Sequence, residues 1–270
     1  MDIIFDENDE VTDVIDKPLQ NFPAPFRFGY GINCEGRSIL LGGYDGNRFL
    51  DQVFEYDREE YQTIPSLNVG RSNPGVCYHE GKLMVSGGYN RDTLETIEML
   101  DITTSDHASH WKKMETPVKL YSHSMVSFKG SMIITGGYDS KKDVWKGILK
   151  DKTDDITWTK CVPMKYNRDF HFSLNLGNRI VIIGGRDRAN DNVEYFDGET
   201  WTEGPKLPFE INTYNSQCIL DRMNRIIIIT NDNGLILIDI EKETWKHYEK
   251  YGLRDLRPGE LRGQFVALLQ

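Results

Sequence analysis

Leu83-Met-Val-Ser-Gly-Gly88 is a short apolar run that ends on two glycines, and the same word recurs along the chain. It returns as Ile39-Leu-Leu-Gly-Gly43, Met132-Ile-Ile-Thr-Gly-Gly137 and Ile180-Val-Ile-Ile-Gly-Gly185. The first glycines stand at 42, 87, 136 and 184, in steps of 45, 49 and 48 residues. A fifth copy, Ile226-Ile-Ile-Ile-Thr-Asn231, follows 46 residues later with the glycines replaced. A constant period of this length marks a repeat architecture, in which each unit buries its faces against its neighbours.

Other elements keep the same period. Downstream of the glycine pairs an apolar strand runs into aspartate, as Val53-Phe-Glu-Tyr-Asp57, Ile97-Glu-Met-Leu-Asp101, Val193-Glu-Tyr-Phe-Asp197 and, after the fifth copy, Ile236-Leu-Ile-Asp239. The third repeat is looser, with Val144-Trp-Lys-Gly-Ile-Leu149 before Asp151. One aromatic then opens a further short strand, at Tyr61, Trp111, Trp158, Trp201 and Trp245. Prolines 65, 117, 163 and 205 punctuate, and a basic or aromatic residue restarts the cycle at Arg27, Arg71, Tyr121, Arg168 and Tyr214. Short strands with turn residues at this spacing predict an all-β chain. Four strands per unit, with glycine ending the second, are what a propeller blade requires.

Composition agrees and excludes several classes. The chain has 270 residues, 27% of them charged, and a formal net charge of -10. That balance repels phosphate backbones, and no basic stripe offsets it, so nucleic acid is not an expected partner. No apolar run approaches the length of a bilayer span, and the first ten residues carry acids but no base, unlike a secretory signal. Cys34, Cys77, Cys161 and Cys218 lie far apart, with no C-x-x-C pair. They are expected to be reduced and buried, in a cytoplasmic or nuclear protein.

The unit Arg71-Ser, Gly81-Lys-Leu-Met-Val-Ser-Gly-Gly-Tyr89, Ile97-Glu-Met-Leu-Asp101 and Trp111 resembles a kelch repeat. The resemblance covers essentially the whole chain. It implies a ring of blades, each of four antiparallel strands. Two departures stand out: the fifth repeat lacks the glycine pair, and Tyr121 and Tyr214 replace the restart arginine.

The expected fold is a single six-bladed kelch-type β-propeller over 1–270, with repeats near 27–70, 71–120, 121–167, 168–213 and 214–253. The sixth is expected to join 254–270 to 1–26, because Arg262-Gly-Gln-Phe-Val-Ala-Leu-Leu-Gln270 reads as the first half of a repeat. Ile3-Ile-Phe-Asp6 and Val11 to Ile15 read as the second half. Met1 would then begin inside the last blade, and no further domain is expected in this chain.

Catalytic patterns are absent. There is no G-x-S-x-G, H-E-x-x-H or phosphate loop. The close histidine pair, His107 and His110, sits in a polar loop with Asp106 and reads as solvated, while His123 and His171 read as packing. No cofactor or metal is expected, and the chain is not expected to be an enzyme. A kelch-type enzyme such as a sugar epimerase, and an actin-associated scaffold, are the alternatives that the resemblance leaves open.

The favoured expectation is a monomeric protein-interaction module that binds a peptide on one rim, as the substrate-recognition part of a cullin–RING ubiquitin ligase. In the family it resembles, the matching loop positions line a substrate pocket. One loop set follows the glycine pairs and starts with Tyr44, Tyr89, Tyr138 and Arg186. The other precedes each first strand and holds Arg27, Arg71, Ser72, Asn73, Tyr121, Ser122, Arg168 and Tyr214. Four arginines gathered on that rim would favour an acidic or phosphorylated segment. Arg71 and Tyr89 are expected to be surface contacts whose truncation abolishes binding with little loss of stability.

Overall fold

The computed structural model describes residues 2–5, 11–15, 27–57, 60–103, 110–150, 153–186, 191–207, 211, 217–220, 225–229, 235–240, 242 and 244–248. Every regular element among them is a strand. The first two, β1 (Asp2–Phe5) and β2 (Val11–Ile15), pair with each other in a sheet of their own. Five blades follow. Blade 1 holds β3 (Tyr30–Cys34), β4 (Arg37–Leu41), β5 (Val53–Asp57) and β6 (Glu60–Ile64). Blade 2 holds β7 (Gly75–His79), β8 (Lys82–Ser86), β10 (Asp92–Asp101) and β11 (Lys112–Leu120), with the two-residue β9 (Tyr89–Asn90) added beside β10. Blade 3 holds β12 (Ser124–Phe128), β13 (Ser131–Gly137), β14 (Lys141–Leu149) and β15 (Ile156–Lys160). Blade 4 holds β16 (Phe172–Asn175), β17 (Ile180–Ile183), β18 (Glu194–Phe196) and β19 (Trp201–Glu203). Blade 5 holds β20 (Gln217–Leu220), β21 (Ile226–Ile229), β22 (Leu235–Asp239) and β23 (Thr244–Tyr248).

The described residues therefore correct the expected blade number: they form five blades, not six. The N-terminal segments do form strands, as their alternation suggests. They pair with each other, with Ile3 opposite Val14 and Ile4 opposite Asp13, and among the described residues they add to no blade. The C-terminal partner assigned to them, 254–270, lies outside the described residues. The fifth repeat, although it lost its glycines, still builds a complete meander.

Successive blades are held together by the period-two alternation of their second strands. On β8, Leu83 and Val85 join Ile39, Leu41 and Val53 of blade 1. Met84 faces the other way, onto Met125, Met132 and Ile134 of blade 3. Ile133 then meets Ile180, Ile182 and Phe196 of blade 4, while Val181 and Ile183 meet Ile226, Ile228, Ile236 and Ile238 of blade 5. A strand buried on both faces reads as an unbroken apolar run, which is why these four-residue words were so visible.

The glycine pairs sit where two backbones converge. A Cβ on Gly87 would stand 2.4 Å from the Leu120 carbonyl oxygen, and one on Gly88 would stand 2.8 Å from that of Ser72. Both have positive φ, of 54° and 95°. Only glycine combines that backbone with that approach. The Gly88 amide uses the closeness to donate to Leu120, leading the chain into the next blade.

All four cysteines are free, with Cys34 and Cys77 buried. His123 and His171 are packing residues between blades. His123 Nε2 lies 2.7 Å from Ser86 Oγ of blade 2, and His171 Nε2 lies 2.8 Å from Thr135 Oγ1 of blade 3.

Candidate functional site

The first strands of neighbouring blades lie against one another, β3 on β7, β7 on β12 and β12 on β16, so they line the axis. The segments that enter these strands and those that follow the glycine pairs consequently meet at one rim. They are joined by backbone bonds that repeat from blade to blade. Arg27 exchanges both bonds with Tyr44, and Ser72 exchanges both with Tyr89. The Tyr138 amide donates to Tyr121, and that of Arg186 donates to Asp169.

This pairing shows which positions are equivalent, and it corrects the register of the restart residues. Arg27, Ser72, Tyr121 and Asp169 occupy one position of the repeat. Arg71, Leu120 and Arg168 occupy the preceding one, since their carbonyls accept from Gly43, Gly88 and Gly137. Matching by residue type places Arg27 and Tyr121 with Arg71 and Arg168, one residue out of step. The error matters because the two positions face opposite ways.

Arg71 and Arg168 point inward. The Arg71 guanidinium is fully buried, pairs with the equally buried Glu98, and donates to the Gly87 carbonyl at 2.7 Å. Arg168 pairs with Glu194 at 2.9 Å and donates to the carbonyls of Gly184 and Asn192. Burial lowers both guanidinium pKa values, against the pull of the paired glutamates. These arginines tie the strand entry to the third strand of their own blade. Their guanidinium groups do not reach the rim surface, which leaves Arg27 and Arg186 as the exposed members of the four arginines expected there.

The next position forms a chain of its own. Phe28, Asn73, Ser122 and Phe170 all have left-handed φ, of 58°, 48°, 54° and 54°. The Asn73 amide donates to Phe28, Ser122 to Asn73 and Phe170 to Ser122, linking blades 1 to 4. Left-handed phenylalanine costs on the order of 1–3 kcal/mol and persists only where the surroundings dictate it. Here the ladder between blades dictates it.

Outside this ladder lies a row of aromatic rings. Tyr44 contacts Phe49 at 5.0 Å between centroids, Phe49 contacts Tyr89 at 5.6 Å, and Tyr89 contacts Tyr121 at 5.5 Å. Tyr121 then meets both Tyr138, at 6.1 Å, and Phe170, at 6.0 Å. The Arg186 guanidinium closes the row over Tyr138 and Phe170 and is anchored to Asp169 Oδ2 at 2.6 Å. Edge-on and tilted pairs at these distances are favourable ring geometries.

Of the residues expected at the site, Tyr44, Tyr89, Tyr121, Tyr138 and Arg186 therefore come together, and Asn73 and Ser122 lie in the ladder beneath them. Arg27 is exposed beside Tyr44. Ser72 and Ser122 are buried, Ser72 with its hydroxyl on the Tyr89 carbonyl. Tyr214 lies outside the described residues, as does His107. Phe49 and Phe170 belong to the same row of rings and are not among the residues that the sequence points to. Phe170 falls at the Asn73 position once the register is right. Phe49 reaches the rim because its loop folds back, Tyr44 bridging to it.

A sequence model described as "Kelch motif" matches residues 70–108 and 168–208. Two blades of this propeller, the second and the fourth, thus carry the kelch motif. Among its relatives, Kelch-like protein 38 of Homo sapiens is 27% identical over 197 residues, covering 66% of this chain and 32% of that protein. Kelch-like protein 36 of Rattus norvegicus is 28% identical over 158 residues, covering 56% and 25%. The chain thus spans a third or less of the length of these curated relatives. A solved structure, "Structure of YjhT", superposes with a TM-score of 0.67 at 13% identity, covering 84% of this chain and 86% of that one. At that identity the likeness concerns the fold alone.

The kelch propeller and its Kelch-like relatives support a protein-interaction module. Among the described residues, no group of three or more His, Cys, Asp or Glu is placed to hold a metal ion, and no helix is long and apolar enough to cross a membrane.

Proposed function

We propose that the rim carrying Tyr44, Phe49, Tyr89, Tyr121, Tyr138 and Phe170 binds an extended peptide segment of a protein partner. The continuous row of ring contacts across blades 1 to 4 carries this reading. Aromatic side chains concentrate binding energy because they bury large areas at small entropic cost. Beneath them the backbone ladder keeps the loops in place, so little ordering is required when a segment docks. The chain would then act as the recognition part of a larger assembly, such as a ubiquitin ligase whose cullin and RING components bind elsewhere.

Affinity capture with the full chain, compared with Phe49→Ala, Tyr89→Ala and the opposite-rim variant Lys129→Ala, tests both levels. Partners lost from the first two and retained by the third support the rim. Partners lost only from Lys129→Ala move the site to the other face. Cullin or RING subunits among the captured proteins support the ligase role, and cytoskeletal proteins in their place replace it.

A further inference from the structure

The blade-3 loop breaks a rule that its neighbours keep. In blades 1 and 2 the tyrosine after the glycine pair ties its own hydroxyl to the backbone two residues on. Tyr44 Oη donates to the Gly46 carbonyl at 2.7 Å, and Tyr89 Oη donates to that of Arg91 at 3.1 Å. Gly46 and Arg91 are the left-handed residues of those loops, with φ of 104° and 63°. In blade 3 the left-handed residue comes one position later, at Lys141 with φ 52°. The turn carbonyl therefore moves out of the tyrosine's reach. Tyr138 is left 46% exposed, and among the described residues its hydroxyl has no partner.

The same shift places Lys141 on the tyrosine. Its Nζ lies 4.9 Å from the Tyr138 ring centroid, while the Arg186 guanidinium lies 5.2 Å from it. Both cations are held from behind. Lys141 pairs with Gly137 in the sheet and accepts from the Arg168 amide through its carbonyl. Arg186 is anchored to Asp169 through Nη2, and among the described residues its other guanidinium nitrogens carry no hydrogen bond. A phenol and two cations thus converge with unused donors at an exposed point of the aromatic row.

We infer that Tyr138, Lys141 and Arg186 form a subsite for a carboxylate side chain of the bound segment. The inference rests on the rim reading and names the chemistry of one of its positions. A planar carboxylate can accept from a guanidinium and from a second donor at once. Nearby acids set the preference for a single negative charge. Asp139 follows Tyr138 and accepts from Thr93, Asp169 holds Arg186, and Asp143 is taken by Lys160. With Lys142 as the other cation of the loop, the surplus of positive charge is small, and it suits a carboxylate better than a doubly charged phosphate.

The test uses the full chain and immobilised peptide mixtures of one length, with random flanks around a fixed central Glu, Gln, phosphoserine or Lys. Retention on the Glu mixture is expected to exceed that on Gln by about three- to tenfold, the range one charge-assisted contact supports. That excess disappears in Lys141→Gln combined with Arg186→Gln, and shrinks in Lys141→Gln alone and in Tyr138→Phe, which keeps the ring and loses the phenol. Tyr89→Ala, in contrast, lowers retention on every mixture. Equal retention on Glu and Gln, preference for Lys, retention confined to phosphoserine, or an excess that survives the variants overturns the subsite. If Tyr89→Ala still lowers retention in those cases, the rim reading stands without it. If Tyr89→Ala changes nothing on any mixture, both fall.

Discussion

Arg71 closes on Glu98 inside blade 2 with neither side chain exposed. Glu98 also accepts from the backbone amides of Asn68 and Val69, so the pair fixes the segment that leads out of blade 1. Removing one member strands a buried charge, which typically costs about 3–5 kcal/mol. Arg71→Ala is therefore expected to lower the midpoint of urea unfolding severely, and Arg168→Ala to do the same through Glu194. Replacing Arg71 and Glu98 together by methionine is expected to cost less than the sum of the two single methionine variants, because the double variant strands no charge. An Arg71→Ala protein with wild-type stability would remove the structural role assigned here.

The aromatic row predicts the opposite profile. Tyr89 is 36% exposed and stands outside the ladder, so Tyr89→Ala is expected to cost under about 1 kcal/mol. Its capture of partners should nonetheless fall at least as far as that of Phe49→Ala. Unfolding midpoints and captured amounts, measured on the same preparations, separate a contact residue from a packing residue.

The glycine pairs offer a graded test. A Cβ on Gly136 would stand 2.4 Å from the Arg168 carbonyl oxygen, and Gly87 meets Leu120 just as closely. Neither carbonyl can move, because each already accepts from the second glycine of the pair. Gly87→Ala and Gly136→Ala should each cost more than about 2 kcal/mol, combining a positive φ with a backbone clash. Gly36 also has positive φ, but a Cβ there meets nothing within 4 Å. Gly36→Ala should cost only about 1 kcal/mol, and thermal unfolding of the three variants checks the order.

Acid should weaken the ring through its inter-blade histidines. Burial pushes His123 down to about 3 and His171 well below the usual histidine range, with Arg71 and Arg168 adding to the effect. Below about pH 6.5 the unfolded chain takes up protons at these rings that the folded chain refuses. Stability is therefore expected to fall as pH drops from 6.5 towards 4.5, by up to about 1.4 kcal/mol per pH unit for each histidine. Asp197, held near 2 by the amides of Thr200 and Glu199, loses its contribution only at lower pH. Urea titrations across the upper window should give a shallower slope for His123→Gln and His171→Gln than for the wild type. Equal slopes would mean that the rings do not stay neutral.

The repeat was legible in the chain because its cause is local. An apolar word ending in Gly-Gly is what a strand buried on both faces and a crowded turn require, and each copy carries that requirement in its own residues. The aromatic positions Tyr44, Tyr89 and Tyr138 were legible for the same reason, each standing next to its glycine pair. Blade number was not local. Ile3-Ile-Phe and Val11 to Ile15 have the alternation of blade strands, but alternation does not name a partner, and β1 and β2 satisfied each other. Register at the rim was not local either. Arg27 and Arg71 are the same residue type one position apart in the repeat, and a single residue along a backbone turns a side chain from the blade interior to solvent. Residue type suggested four arginines on the surface. The carbonyl contacts of Gly43, Gly88 and Gly137 place Arg71 and Arg168 inside instead, and leave the rim to rings drawn from four blades, whose meeting depends on how the ring of blades curves.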